Sequence, residues 1–251
     1  MFRHDDARRG PSGRQPDERV VSQTEPQPVE APTTPAWRRA TQGEHRWAAS
    51  AAVVFAVGLQ SLLPAHLAVK PRWLIPAVAT LLLVALIVGN PGRLSRRSKL
   101  MRICSLALIA CVSAANIYSV ARLIDGLLHG TEERDAAALL LHGGAIWLTN
   151  VVVFGVWYWE FDRGGPVARA LGDQEFPDLL FPQMVSVELA PAHWEPEFVD
   201  YLYLSFTNAT AFSPTDVMPL SRWAKMTMLI QSLVSLSSLA LVIARAVNIL
   251  K

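Results

Sequence analysis

Five stretches of the chain are apolar for long enough to suggest helices crossing a bilayer, whose hydrocarbon core takes about 20 residues of helix. They run from Trp47 to about Leu67, Trp73 to Val88, Met101 to Ala121, Ala137 to Trp159, and about Met226 to Ala246. The first is interrupted by Gln60, a late Pro64 and His66, and the second is stopped by the turn signal Asn90-Pro91-Gly92. The fourth closes on Trp157-Tyr158-Trp159, rings suited to a membrane–water interface. Ahead of the spans, Met1 to about Glu44 has neither helical nor strand periodicity, and Arg, Asp, Glu, Pro, Gln and Thr dominate it. Such a segment cannot bury enough surface to offset the entropy of ordering, so disorder is expected.

The pattern divides the chain into four regions. Residues 1–46 are expected to be a disordered cytoplasmic tail, and 47–159 a region of four transmembrane helices. A membrane-surface connection follows over 160–197, and 198–251 holds a short helix, a polar loop and the last span. The expected fold is therefore all-α: a polytopic integral membrane protein with about five transmembrane helices plus a short re-entrant or interfacial helix.

Composition sharpens this picture only when it is resolved by region. Over all 251 residues the chain is 51% hydrophobic and 18% charged, close to a soluble protein. Yet the first 46 residues hold eight of the 23 basic residues, seven of the 21 acidic ones and six of the 17 prolines. The remainder is far more apolar than the average, which argues against a soluble two-domain enzyme. The net charge of +2 comes without basic residues interleaved with aromatics, so nucleic acid is not an expected partner. Cys104 and Cys111, seven apart on the third span, read as helix-packing residues about 10 Å apart that cannot bond to each other.

Orientation follows from Lys and Arg near the span ends. Arg38, Arg39 and Arg46 precede the first span, and Arg93, Arg96, Arg97, Lys99 and Arg102 surround the loop between the second and third. Both groups share a side if the first two spans form a hairpin, and they outnumber Lys70 and Arg72 in the first loop. The expectation is a multi-pass protein of the plasma membrane with its amino terminus cytoplasmic and its carboxyl end outside.

Between the fourth and fifth spans the chain changes character. Glu160-Phe161-Asp162-Arg163-Gly164-Gly165-Pro166 reads as a solvated helix end followed by a flexible break. Phe176, Phe181 and Trp194 would anchor the next segment along the membrane surface, or sit as incidental aromatics in a solvated loop. The apolar run from Phe198 to Phe212 is too short to cross. It is followed by a polar turn, so that Thr207, Asn208, Thr210, Ser213, Thr215 and Asp216 form a candidate pore-like loop. Irregular backbone at membrane depth is tolerated only inside protein or against a water-filled cavity.

In order and character, Phe198 to Leu250 resembles the pore helix, filter and inner helix of two-span potassium-channel modules. The short helix bears Tyr203 and Ser205-Phe206-Thr207, the turn carries Asp216, and a long apolar helix follows. The resemblance implies a channel-like or ion-transport protein, a homo-oligomer around a shared path, and a monovalent cation as ligand. The filter is degenerate: Thr210-Ala211-Phe212-Ser213-Pro214-Thr215 contains no glycine to turn successive carbonyls toward an ion. Across the membrane part as a whole, including Trp157 to Pro166 and Ser205 to Arg222, the chain resembles uncharacterised bacterial integral membrane proteins, a likeness that implies no activity. The alternative reading is a non-conducting membrane scaffold or accessory protein.

On the last span Gln231, Ser235, Ser238 and Arg245 share one helix face. They are either a wetted stripe beside the loop or a helix-packing seam, with Arg245 snorkelling to the interface. Asn116 and Asn150, mid-span, read as interhelical hydrogen-bonding residues. No enzyme is expected, since there is no phosphate-binding glycine loop, zinc-type His-Glu-x-x-His or nucleophile elbow. His193-x-Glu195-x-Glu197 is broken by Pro196, so no metal and no cofactor are expected either. The lipid bilayer is the one partner that the hydrophobic pattern itself demands.

Overall fold

A computed structural model describes residues 34–89, 98–130, 135–210 and 216–250. Its main elements are helical: α1 (Trp47–Leu62), α2 (Leu74–Gly89), α3 (Lys99–His129), α4 (Ala136–Phe161), α5 (Pro166–Ala170), α6 (Pro182–Val185), α7 (Phe198–Thr210) and α8 (Arg222–Ile249). The strands among the described residues are two dipeptides, β1 (Leu179–Leu180) and β2 (Met218–Pro219), paired antiparallel.

Local chemistry sets the helix ends. The Ser98, Asp135 and Ser221 side chains accept from backbone N–H groups in the first turns of α3, α4 and α8. Gly130 ends α3 at φ 68°, a left-handed cap that glycine adopts without a Cβ clash. α1 stops earlier than its apolar run suggests, because Leu63 turns extended ahead of Pro64.

Among the described residues three helices are long and apolar enough to cross a membrane: α3, α4 with the turn that follows it, and α8. α1 and α2 have 16 residues each, about 24 Å of helix against a hydrocarbon core of about 30 Å. The shortness of α1 follows from Pro64, and the residues that follow Gly89 lie outside the described ones.

α4 lies at the centre, packed by α1, α3, α7 and α8. Glycines permit two of these approaches. A Cβ on Gly155 would lie 3.2 Å from the Leu202 Cα on α7, and one on Gly143 only 2.8 Å from a Val242 methyl on α8. At one end of the bundle the core gathers Trp37, Trp159, Phe181, Phe198 and Tyr201. At the other it gathers Leu63, Leu67, Leu123, Ile146 and Val242.

Two expectations are corrected here. The segment from 34 to 46 is folded into the bundle rather than belonging to a disordered tail, with Trp37 only 5% exposed. The rest of that tail, residues 1–33, lies outside the described residues. The connection from Glu160 onward is likewise no solvated helix end, because Glu160, Asp162 and Arg163 are all buried. Of the three aromatics after it, Phe181 is buried edge-on against Tyr201 and Trp194, while Phe176 is exposed.

Candidate functional site

α7 reaches into the bundle and stops partway. It begins at the Trp37/Trp159 end, where Phe198 packs on Trp159. It then runs antiparallel to α4, with Leu202 against Gly155, the Ser205 hydroxyl donating to the Val151 carbonyl at 2.6 Å, and Phe206 against Trp147. Against α8 it runs parallel. Ser205 meets Gln231 and Ala209 meets Ser235, the latter halfway along α8. By Met218 the chain is back where it started, pairing with Leu180, and the Leu220 N–H donates to the Asp178 carbonyl. Phe198 and the Met218–Pro219 pair thus lie at the same end of the bundle, while Ala209 lies halfway along α8.

A network of uncharged polar groups fills the contact of this half-helix with α4 and α8. Gln231 is its hub. Its amide donates to the Ser205 carbonyl and hydroxyl at 2.9 and 2.7 Å, and its oxygen accepts from the Tyr158 hydroxyl and from Asn208 Nδ2 at 2.7 and 2.8 Å. Asn208 also donates to the Met228 carbonyl, and its own oxygens accept from Ser232. One turn further on, Ser235 donates to the Ala209 carbonyl and accepts from Trp147 Nε1, both at 2.6 Å. Such groups pair because an unsatisfied amide in an apolar interior costs roughly 1–3 kcal/mol.

The residues singled out in the sequence therefore occupy different settings. Asn208, Gln231 and Ser235 come together in this network, within a single chain. Thr207 and Thr210 turn their hydroxyls back onto carbonyls of α7 itself. Ser238 does the same on α8. Asp216 is exposed at the returning end, and Ser213 and Thr215 lie outside the described residues. Arg245 is half-buried near the far end of α8, its Nε without a hydrogen-bond partner among the described residues. Tyr158, Ser205, Ser232 and Trp147 complete the network, and no spacing in the sequence links them to it. Asn116 accepts from Gln60 of α1 at 3.1 Å, joining α1 to α3. Buried Asn150 has no partner for its Nδ2 among the described residues.

A second cluster, of charged groups, sits where α7 starts. Asp162 accepts from the Tyr201 hydroxyl at 2.6 Å and from the Asp178 and Leu179 N–H groups at 3.0 and 3.2 Å. Arg163 stands at φ 53° and donates to the carbonyls of Gln174 and Trp37. Arg169 donates to the Trp159 and Asp162 carbonyls, lies over the Tyr201 ring, and pairs with Glu44 at 3.3 Å. Glu44 also accepts from Trp159 Nε1 and from the Phe198 N–H, one of the helix-start donors that have no partner within α7. Burial pushes the Glu44 carboxyl above its ordinary range, although Arg169 and the two N–H donors pull the other way. Tyr201 is likewise pushed well up by burial.

This knot clamps the start of the half-helix to residues 34–46 and to the segment after α4. Its acids are committed to backbone, hydroxyl and guanidinium donors, and no group of three or more His, Cys, Asp or Glu that could hold a metal occurs among the described residues. No protein-family model, curated protein or solved structure matches the chain.

Proposed function

We propose that the protein is a channel-like or ion-transport protein of the plasma membrane, whose 198–246 module assembles with copies of itself around a path for a monovalent cation. The observation that carries this reading is the half-helix: α7 enters partway beside two long apolar helices, and Met218–Pro219 lie back at the end where it starts. A helix that stops at that depth fits a membrane protein where protein or a water-filled cavity receives its end.

Five spans complete the proposal. α1 is extended by the non-helical residues 63–68, of which Leu63, Leu67 and Ala68 are buried, and this brings it level with Val120 and Leu123 of α3. α2 returns to the end where α3 begins. The end bearing Arg38, Arg39, Arg46, Lys99, Arg102, Arg222 and Lys225 is then cytoplasmic, and Lys70, Arg72, Arg122 and Arg245 are left on the other.

A second reading, a non-conducting membrane scaffold, draws on a different observation. Gln231 and Ser235 are consumed by hydrogen bonds within one chain, so they do not line an open path there. The two readings diverge in proteoliposomes. A channel gives cation flux that Asp216→Ala or Thr210→Ala alters, from a protein that is oligomeric in detergent. No flux, or a stable monomer, would leave the scaffold.

A further inference from the structure

α3 and α8 meet at the end of the bundle where Val120 and Leu123 touch Val242 and Ala246. Toward the opposite end a cleft opens against α4 and α8. Its volume is about 350 Å³, and Phe154, Trp157, Phe161, Trp223, Thr227 and Ile230 line it. Such a volume lies within the roughly 300–1,000 Å³ of small-ligand sites. The wall is held in place: Trp157 stacks on Phe161 and donates to Ser113 of α3, and Trp223 packs on Phe161 and donates to Asp178. The tryptophan N–H groups are thereby turned into the protein, and the rings leave an apolar surface. Ile230, half-exposed, marks where the cleft opens sideways.

Charge distinguishes the mouth from the floor. Arg222 directly precedes Trp223, and Lys225 follows one turn into α8. Both are exposed, and neither has an ion-pair partner among the described residues. Arg102 reaches the Gly164 carbonyl just beyond Phe161 on the other flank. Of the acids nearby, Asp178 already accepts from Trp223 and the Arg163 N–H, and Glu160 and Asp162, on either side of Phe161, are buried and accept from Ser105 and Tyr201. From Trp223 to Ile230 the cleft runs roughly 10 Å along α8, inside the roughly 15 Å of a single leaflet.

We propose that this cleft is a binding site for an anionic phospholipid of the leaflet at the start of α8, with an acyl chain between the aromatic rings and the phosphate beside Arg222. The inference rests on the reading that α4 and α8 span a membrane. An apolar chain suits the ring-lined floor, and a phosphate diester suits a guanidinium, which donates to it in a fixed fork.

The test uses the full chain, purified in detergent and titrated with phosphatidylglycerol or phosphatidylcholine, with bound lipid counted by native mass spectrometry. One phosphatidylglycerol per chain should be retained in preference to phosphatidylcholine. Arg222→Gln should weaken it about tenfold, the scale of one charge-assisted hydrogen bond. Thr227→Phe, which fills the cleft, should abolish it, and Ile230→Trp does the same from the opening should that variant fold poorly. Leu236→Phe, on the exposed face of α8, should leave it intact. Equal retention of the two lipids overturns the proposal, as does binding that survives Arg222→Gln or Thr227→Phe. Alkaline extraction of membranes separates the two failures. A chain released by alkali refutes the span reading along with the site, whereas one that stays in the membrane without retaining phosphatidylglycerol refutes the site alone.

Discussion

Asp162 accepts hydrogen bonds from the Tyr201 hydroxyl and the N–H groups of Asp178 and Leu179, with no exposure of its own. Asp162→Ala strands all three donors, at a cost of about 3 kcal/mol or more, whereas Tyr201→Phe removes one and costs about 1 kcal/mol. Thermal unfolding in detergent should rank the two variants in that order, and equal melting temperatures would show that the cluster does not hold the joint together. Glu44 adds a pH dependence. Its folded-state pKa lies above the ordinary 4.5, with burial the largest cause, so the folded chain holds that proton more tightly than the unfolded one does. Its contribution is then full below about 4.5 and is lost as pH rises through the folded value. Glu44→Gln keeps an acceptor for the Phe198 N–H and removes the titration. The melting temperature of the variant should fall less steeply above pH 4.5 than that of the parent, with some slope left by Asp200, which burial also raises. Parallel curves would remove Glu44 from the account. Neither residue could be assigned from the sequence. Asp162 and Arg163 have the composition of a solvated helix end, and their partners lie at Trp37, Gln174 to Leu179 and Tyr201.

Between elements, α4 and α8 approach closely at Gly143 and Val242, where an added Cβ would meet two methyl carbons at 2.8 and 2.9 Å. Small residues serve this purpose wherever helices pack without water to drive them together. Gly143→Ala should destabilise by about 1–3 kcal/mol, the usual cost of overpacking, and Val242→Ala in the same chain should restore much of it. A double-mutant cycle on denaturant unfolding in detergent measures the coupling; additive effects would mean that the two helices are not in register here. The helices themselves were legible, because long apolar runs need no tertiary information. Their ends were partly so: Ser98, Asp135 and Ser221 are ordinary caps, whereas the stop of α1 at Leu62 depended on Pro64 outweighing the apolar residues after it. The half-helix was legible as a segment too short to cross. That its polar residues face Gln231 and Tyr158, instead of an open path within the chain, required the register of α7 on α8.

At the scale of the molecule, five segments and one half-helix are arranged so that one end holds the charged knot and the larger share of the described basic residues. If all five cross, the chain begins and ends on opposite sides. A Lys251→Cys variant, with Cys104→Ser and Cys111→Ser to remove the native thiols, should be labelled in whole cells by a reagent that does not cross the membrane. Labelling only after the cells are opened would reduce the span count to an even number.

The sequence by itself determined that this chain is helical and apolar enough for a bilayer, because both properties are written locally in runs of side chains. It also marked residues 198–216 as the place where that pattern breaks. Tertiary structure decided what the break is connected to. Glu44, Arg169 and Phe198 are separated by up to 154 residues, and a carboxylate so far from its partners looks the same in sequence whether it is solvated or buried. Only the folded chain shows that residues 34–46 belong to the bundle, clamping the start of the half-helix through Glu44.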